Sequence, residues 1–268
     1  MTIRNTHYAP RILVNYFLGD IKAASNSLVH LPGCLMVSDR FRFLDRHEAG
    51  KELAGLLLDE PLVGETAKRD LLVLSIPRGG VVVGHAIAEV LNCDHDVVIV
   101  KKVGYPGFPE MAIGAVAEDG SVVLDKEIVA SHLAEGDEVQ LSVQQAYAKV
   151  KQYVAKFRSA RALVLDGKTV ILTDDGIATG ETMKAAIYWL KCHSGPEQVR
   201  TVIVAVPVCS PGAAHEIERL VDRLVCVSKP PTFYAVGQFY CNFRQLDDDE
   251  ILAYLAQPTD SLETLSPE

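Results

Sequence analysis

Two periodicities alternate along the chain from residue 45 onward. Ala49, Leu53, Leu56 and Leu57 recur at helical spacing behind acidic residues, which predicts an amphipathic helix. Residues 71–76, Leu-Leu-Val-Leu-Ser-Ile, form an uncharged apolar run that stops at Pro77, which predicts a strand buried on both faces. A second helix is expected over 81–91, after the Gly79-Gly80 turn, and a second buried strand over 97–100, Val-Val-Ile-Val. Residues 104–109 read as a loop rich in Gly and Pro, and 112–116 with 121–124 read as a hairpin across Asp119-Gly120. The longest helix is expected over 137–158. There Val139, Val143, Ala146, Tyr147, Val150, Val154 and Phe157 make one stripe, with acids at the start and bases at the end. Strands at 169–173, 199–206 and 224–227 alternate with helices at 180–191 and 211–220. Continuous apolar strands alternating with helices predict an α/β fold, an open, mainly parallel sheet with helices on both faces.

The charge balance narrows the partners. A formal net charge of −9 over 268 residues argues against a broad nucleic-acid or acidic-membrane surface. The longest apolar runs, 71–77 and 202–208, are strand-sized and too short to cross a bilayer. Cys34, Cys93, Cys192, Cys209, Cys226 and Cys241 include no C-x-x-C pair. With no secretion signal they suit a reducing, cytoplasmic setting, as small buried apolar residues. The histidines show no H-E-x-x-H spacing, so no dedicated zinc site is expected. Residues 1–36 stand apart from the alternation. They read as an extension, as sequence before a true start at Met36, or as a helical arm packed on a partner subunit.

The most informative stretch runs from Val170 to Thr182: an apolar strand, then Asp174-Asp175, then Gly176-Ile177-Ala178-Thr179-Gly180-Glu181-Thr182. A turn feeding a helix N-terminus gathers backbone N–H groups and the positive end of the dipole, which suits phosphate. It is not a Walker A loop, because three residues separate its glycines and Glu181 stands where that motif needs lysine. Two carboxylates beside a phosphate cradle repel the phosphate unless they hold something else, such as sugar hydroxyls or a magnesium ion. The segment therefore predicts a phosphate at one end of a ligand and a ribose diol nearby; an acidic turn with a helix cap is the plainer alternative.

This stretch resembles the 5-phosphoribosyl-1-pyrophosphate (PRPP) motif of type I phosphoribosyltransferases. Two further segments are similar to that family in the expected order. They are Ser75-Ile76-Pro77-Arg78-Gly79-Gly80, like its pyrophosphate loop, and Val100-Lys101-Lys102-Val103-Gly104 with Pro106, Pro109-Glu110 and residues 112–116, like its flexible loop. The resemblance covers roughly 41–255 and is nearest to a bacterial and archaeal branch named only as phosphoribosyltransferase. It implies that Asp174 and Asp175 bind the ribose hydroxyls and, through them, magnesium. It also implies that Gly176, Ile177, Ala178, Thr179, Gly180, Glu181 and Thr182 hold the 5′-phosphate, and that Arg78, Gly79, Gly80 and Lys102 hold pyrophosphate. Asp174, Asp175, Lys102 and Arg78 would form the catalytic set, and Glu110 would ride on a lid or be a solvated loop acid. By strand alternation Lys102 is expected to point into the crevice and Lys101 away from it.

Ala178 stands where the 6-oxopurine branch carries an acid, which counts against hypoxanthine and guanine as acceptors. The aromatic-rich segment 230–243 is expected to form a small C-terminal hood, within about 228–257, whose Phe233, Phe239 and Tyr240 either stack on a base or close the sheet edge. Asp247-Asp248-Asp249-Glu250 reads as a helix start rather than a metal site. The resulting expectation is a phosphoribosyltransferase domain over 37–257, with a tail at 258–268. It would need Mg²⁺ and use PRPP with a small-molecule, nucleobase-like acceptor in nucleotide salvage or related metabolism. A homo-oligomer, a dimer, is expected. The alternative is a PRPP- or nucleotide-sensing regulator on the same fold.

Overall fold

The computed structural model describes residues 43–124, 136–158, 163–193 and 199–256, with the side chains of 109, 110, 123, 192 and 193 outside that set. The expectations for 1–36, Cys34 and the tail 258–268 lie outside the described residues.

The chain opens with helix α1 (Arg46–Leu58) and a short turn of helix α2 (Pro61–Gly64), then enters the sheet. The order is β1 (Leu71–Ser75), α3 (Gly79–Leu91), β2 (Asp94–Val97), β3 (Val100–Tyr105), β4 (Phe108–Ala117), β5 (Val122–Leu124) and α4 (Gly136–Phe157). It continues with β6 (Lys168–Thr173), α5 (Glu181–His193), β7 (Val199–Val208), α6 (Pro211–Glu218), β8 (Arg223–Ser228) and α7 (Asp248–Ala256). Five parallel strands form the main sheet in the order β2-β1-β6-β7-β8. Strand order reverses between β1 and β6, and in open α/β sheets ligands bind at the carboxyl ends of the strands flanking such a switch point. The residues that follow these strands are Pro77-Arg78-Gly79-Gly80 and Asp174-Asp175.

Alternate side chains of the strands feed two cores. Leu72, Leu74, Val170, Leu172, Val202, Val204 and Val206 pack with α5 and α6. Leu71, Val73, Ile171, Ile203 and Ala205 pack with α1 and α3. Ile171 and Ile203 are fully buried, so truncating either to alanine is expected to cost about 2–5 kcal/mol. Asp45 caps α1, accepting from the backbone N–H groups of His47 (2.9 Å) and Glu48 (3.0 Å). The buried face of α1 is Arg46, Ala49, Gly50, Leu53, Ala54 and Leu57, and Leu56, expected on that face, is 43% exposed. A Cβ on Gly50 would come within 2.7 Å of Ala86, so α1 and α3 pack closely, and this brings the start of α1 to the switch point.

Two expectations in the middle of the chain are corrected. The apolar run 97–100 is not one strand. Val97 ends β2 in the main sheet and Val100 begins β3 in a separate three-stranded antiparallel sheet, order β3-β4-β5. All four residues are buried, so hydrophobicity alone does not reveal the break. The Gly/Pro-rich loop at 104–109 is a tight reversal: β3 runs to Tyr105, β4 starts at Phe108, and Pro106-Gly107 make the turn, with Gly107 at φ 80°. The expected hairpin across Asp119-Gly120 is present as β4 and β5.

Candidate functional site

Asp174 and Asp175 lie directly beyond the end of β6, against the start of α3. A Cβ on Gly79 would sit 1.8 Å from Asp175 Oδ2, and one on Gly80 would sit 2.9 Å from Asp174 Cα. The glycines expected to bare amides to a phosphate thus also make room for the acid pair. Asp174 Oδ1 accepts from the Asp175 backbone N–H at 2.8 Å. Asp175 Oδ2 accepts from Arg46 Nε at 2.8 Å, and the Tyr240 hydroxyl donates to the Asp175 carbonyl at 2.6 Å. Burial and then repulsion from Asp175 push the Asp174 carboxyl well above the usual range. Burial also raises Asp175, and Arg46 opposes that rise.

The turn after the acid pair is stitched to the end of β7. Ile177 N–H donates to the Val208 carbonyl (2.9 Å), and Ser210 N–H donates to the Ile177 carbonyl (2.9 Å). The Ser210 hydroxyl donates to the Ala178 carbonyl at 2.6 Å and caps α6, accepting from Ala213 N–H. Ile177 is buried as the anchor, whereas Ala178 and Thr179 are exposed at the tip. Gly180 takes φ 81° just before α5, whose first N–H groups have no partner within the helix. Glu181, in that first turn, is paired with Lys184 at 2.6 Å, and Lys184 also holds Glu216 at 2.8 Å. The negative charge at the mouth of the turn is therefore locally offset.

A strand-end acid pair, a glycine wall and a pinned turn at a helix start therefore lie together at the carboxyl ends of β1 and β6. The sequence profile of the phosphoribosyl transferase domain matches residues 47–244. The chain belongs to the phosphoribosyl transferase family. It is similar to a Mycobacterium tuberculosis protein named "Putative phosphoribosyl transferase Rv0571c", at 35% identity over 80% of this chain. The matched region is 46% of that protein, so the chain spans about half the length of this curated relative. The crystal structure of TT1426 from Thermus thermophilus is 36% identical with a TM-score of 0.68, covering 80% of this chain and 98% of that one.

Within this member of the family, the expected site residues separate into those brought together and those placed elsewhere. Asp174, Asp175, Gly79, Gly80 and the 176–182 turn share the crevice. Arg78, which follows a cis Pro77–Arg78 peptide, is half-exposed and ion-paired through Nε with Asp248 at 3.1 Å, so it is tied to the start of α7. The two lysines exchange burial relative to expectation. Lys101 is the half-buried one, close enough to Asp174 and Arg78 to feel both, with its ammonium 4.0 Å over the Tyr153 ring; burial, then Arg78 and Lys149, lower its pKa. Lys102 is exposed. The pairing of β3 with β4 explains the exchange. Lys101 lies opposite Val116, which faces α4, whereas Lys102 lies opposite Ala115, which faces α5. Both lysines line a cleft of about 550 Å³ between the β3–β4 hairpin and α4. Glu110 is in strand β4 and not on a loop, and its side chain lies outside the described residues.

Of the two roles expected for the hood aromatics, Phe239 and Tyr240 take the second. Phe239 and Tyr240 are 4% and 3% exposed and pack with Phe43, Ala49 and Val208, so they close the sheet edge instead of offering a face to a base. Phe233 packs beside Phe239, with ring centroids 4.9 Å apart, and Tyr234 is the exposed aromatic of the segment. Asp247 and Glu250 accept from each other's backbone N–H (2.8 and 3.0 Å), so the acidic run caps α7, as expected. Among the described residues no group of three or more His, Cys, Asp or Glu could hold a metal ion. No helix among them is long and apolar enough to cross a membrane.

Sequence reasoning missed Arg46, Ser210 and the Tyr240 hydroxyl. Arg46 carried a readable signal. It falls in register with Ala49, Gly50, Leu53 and Leu57 on the buried face of α1, and a buried arginine requires a carboxylate.

Proposed function

We propose that this protein transfers phosphoribose from PRPP to a nitrogen of a nucleobase-like acceptor, releasing pyrophosphate. The observation that carries this reading is the half-buried acid pair at the switch point, walled by Gly79-Gly80 and followed by the pinned turn 176–180. In the reaction the bond from ribose C1 to the pyrophosphate oxygen breaks, its electrons leaving with pyrophosphate, a bond from the acceptor nitrogen to C1 forms, and the proton on that nitrogen is lost to solvent. Asp174 and Asp175 would hold the ribose hydroxyls and favour positive charge on the sugar as that bond opens. The turn and the first N–H groups of α5 would take the 5′-phosphate. The amides at Gly79-Gly80, with Arg78 and the lysines of β3, would stabilise the departing pyrophosphate.

The donor set fits magnesium delivered with its ligand. Two carboxylates alone form no all-protein cage, and Mg²⁺ ordinarily combines one or two carboxylates with substrate oxygens. Bound in that way it would neutralise pyrophosphate charge.

A thermal-shift titration with PRPP and Mg²⁺ tests the binding half of the reading. Stabilisation of about 2.7 kcal/mol is expected at a hundredfold excess over Kd. No response sinks the reading. Pyrophosphate release over a panel of bases and amines tests the transfer. Clear PRPP binding with no turnover on any acceptor replaces the enzyme with a sensor on the same fold.

A further inference from the structure

Arg46 has no place in the phosphate and pyrophosphate motifs and lies one residue before the stretch that matches the family profile. It is nonetheless the cation bonded to the acid pair. Its side chain is 10% exposed. Nε donates to Asp175 Oδ2 at 2.8 Å, Nη1 donates to the Arg244 carbonyl at 3.0 Å, and the guanidinium carbon lies 3.9 Å from the centroid of the Phe243 ring. Three contacts from three directions fix a planar group that only arginine provides, because lysine has neither the fork nor the flat face. The same Asp175 oxygen lies against Gly79 at the start of α3, in space that a Cβ there would take, since that Cβ would stand 1.8 Å from Oδ2.

Resting on the reading above, we infer that Arg46 is the positioning residue that fixes the Asp175 carboxylate for a vicinal diol, and that it links this diol site to the hood through Phe243 and Arg244. With Oδ2 occupied by Arg46, the remaining lone pairs of Asp175 are presented in one orientation. Two hydroxyls on adjacent carbons need acceptors at fixed positions, and a freely rotating carboxylate would lose that match. The groups facing Asp175 are Asp174 on the same turn, Arg46 from α1 and Tyr240 from the hood, with Lys101 of β3 beyond Asp174. Of these, Arg46 is the one with an ion pair to Asp175.

The readout is discrimination between ribose 5-phosphate and 2-deoxyribose 5-phosphate, measured by calorimetry on the full chain. Wild type is expected to prefer the diol-bearing ligand about ten- to a hundredfold, the worth of a hydrogen bond to a charged group. In Arg46→Ala that preference should fall to within about threefold, while affinity for the deoxy ligand, carried by the phosphate turn, stays nearly unchanged. A purely structural role would weaken both ligands together. Arg46→Lys keeps the charge and should recover only part of the preference; with Phe243→Leu, which removes the face under the guanidinium, it carries the test if Arg46→Ala does not fold. A wild-type protein that binds neither sugar phosphate nor PRPP overturns the functional reading itself. A wild type with the preference and Arg46 variants that retain it in full overturn only the role of Arg46.

Discussion

Adding one methyl group at Gly79 should destabilise the fold, and the reason lies in Asp175. A Cβ there would stand 1.8 Å from Asp175 Oδ2 and 2.5 Å from Cγ, so the carboxylate must withdraw. A retreat of about 1.5 Å, to ordinary contact distance, breaks its bond to Arg46. The two side chains are only 10% and 14% exposed, and breaking such a buried pair costs about 3–5 kcal/mol. Against this, Gly79 opens α3, where alanine is the better helix former by about 0.5–1 kcal/mol. The net expectation for Gly79→Ala is a loss of about 2–4 kcal/mol. In a folded unit of this size that lowers Tm by roughly 4–16 °C.

The second half of the cycle gives the test its sign. In an Asp175→Ala background the obstructing carboxylate is gone. The nearest remaining neighbour of the new Cβ is Arg46 Nε at 3.0 Å, the end of a long side chain that can move. There Gly79→Ala should be neutral or slightly stabilising, giving a coupling of about 2–4 kcal/mol between the two positions. Four proteins followed by urea denaturation and thermal unfolding provide the numbers. If Gly79→Ala costs the same with and without Asp175, the glycine is not there to accommodate the acid pair, and the packing argument fails.

Ser210→Ala removes both the hydroxyl bonded to the Ala178 carbonyl and the cap of α6; a loss of about 1–2 kcal/mol is expected, with weaker sugar-phosphate binding in calorimetry, and unchanged values on both counts would discard the pinned-turn argument. His95, bonded to Ser75 Oγ at 2.8 Å, has its pKa pushed down to about 3 by burial, with His85 adding to it. Its unfolded form binds the extra proton below about pH 6.5, so its contribution is complete above that pH and is lost on acidification, at no more than about 1.4 kcal/mol per unit. His95→Asn should flatten that slope between pH 6.5 and 4.5 in denaturant titrations, and an unaltered slope would remove His95 as its source. A chain beginning at Met36 should fold and still bind PRPP, since the alternation of helices and apolar strands begins after it; insolubility of that chain beside a soluble full-length protein would make residues 1–35 structural.

Local chemistry was legible where it is carried by contiguous residues. The stretch 168–182 must be a buried strand, an acid pair and a helix start whatever surrounds it, because its apolar run, its adjacent carboxylates and its glycines act over a few residues. The alternation of β6, β7 and β8 with α5 and α6 is likewise a matter of period, and period is a property of the chain. Tertiary structure decided what depends on distant partners. The run 97–100 is equally apolar on both sides of its break, so only pairing shows that Val97 and Val100 belong to different sheets. The same pairing left Lys101 half-buried over the Tyr153 ring and Lys102 exposed. Phe239 and Tyr240 could have stacked on a ligand or closed an edge, and the choice fell to Phe43 and Val208, far away in sequence. Arg46 and Asp175 are 129 residues apart and meet because the close packing of α1 on α3 brings the start of one helix to the end of β6. A carboxylate's neighbours in sequence establish that it is charged and where its strand ends; the group that holds it in place is supplied by the fold.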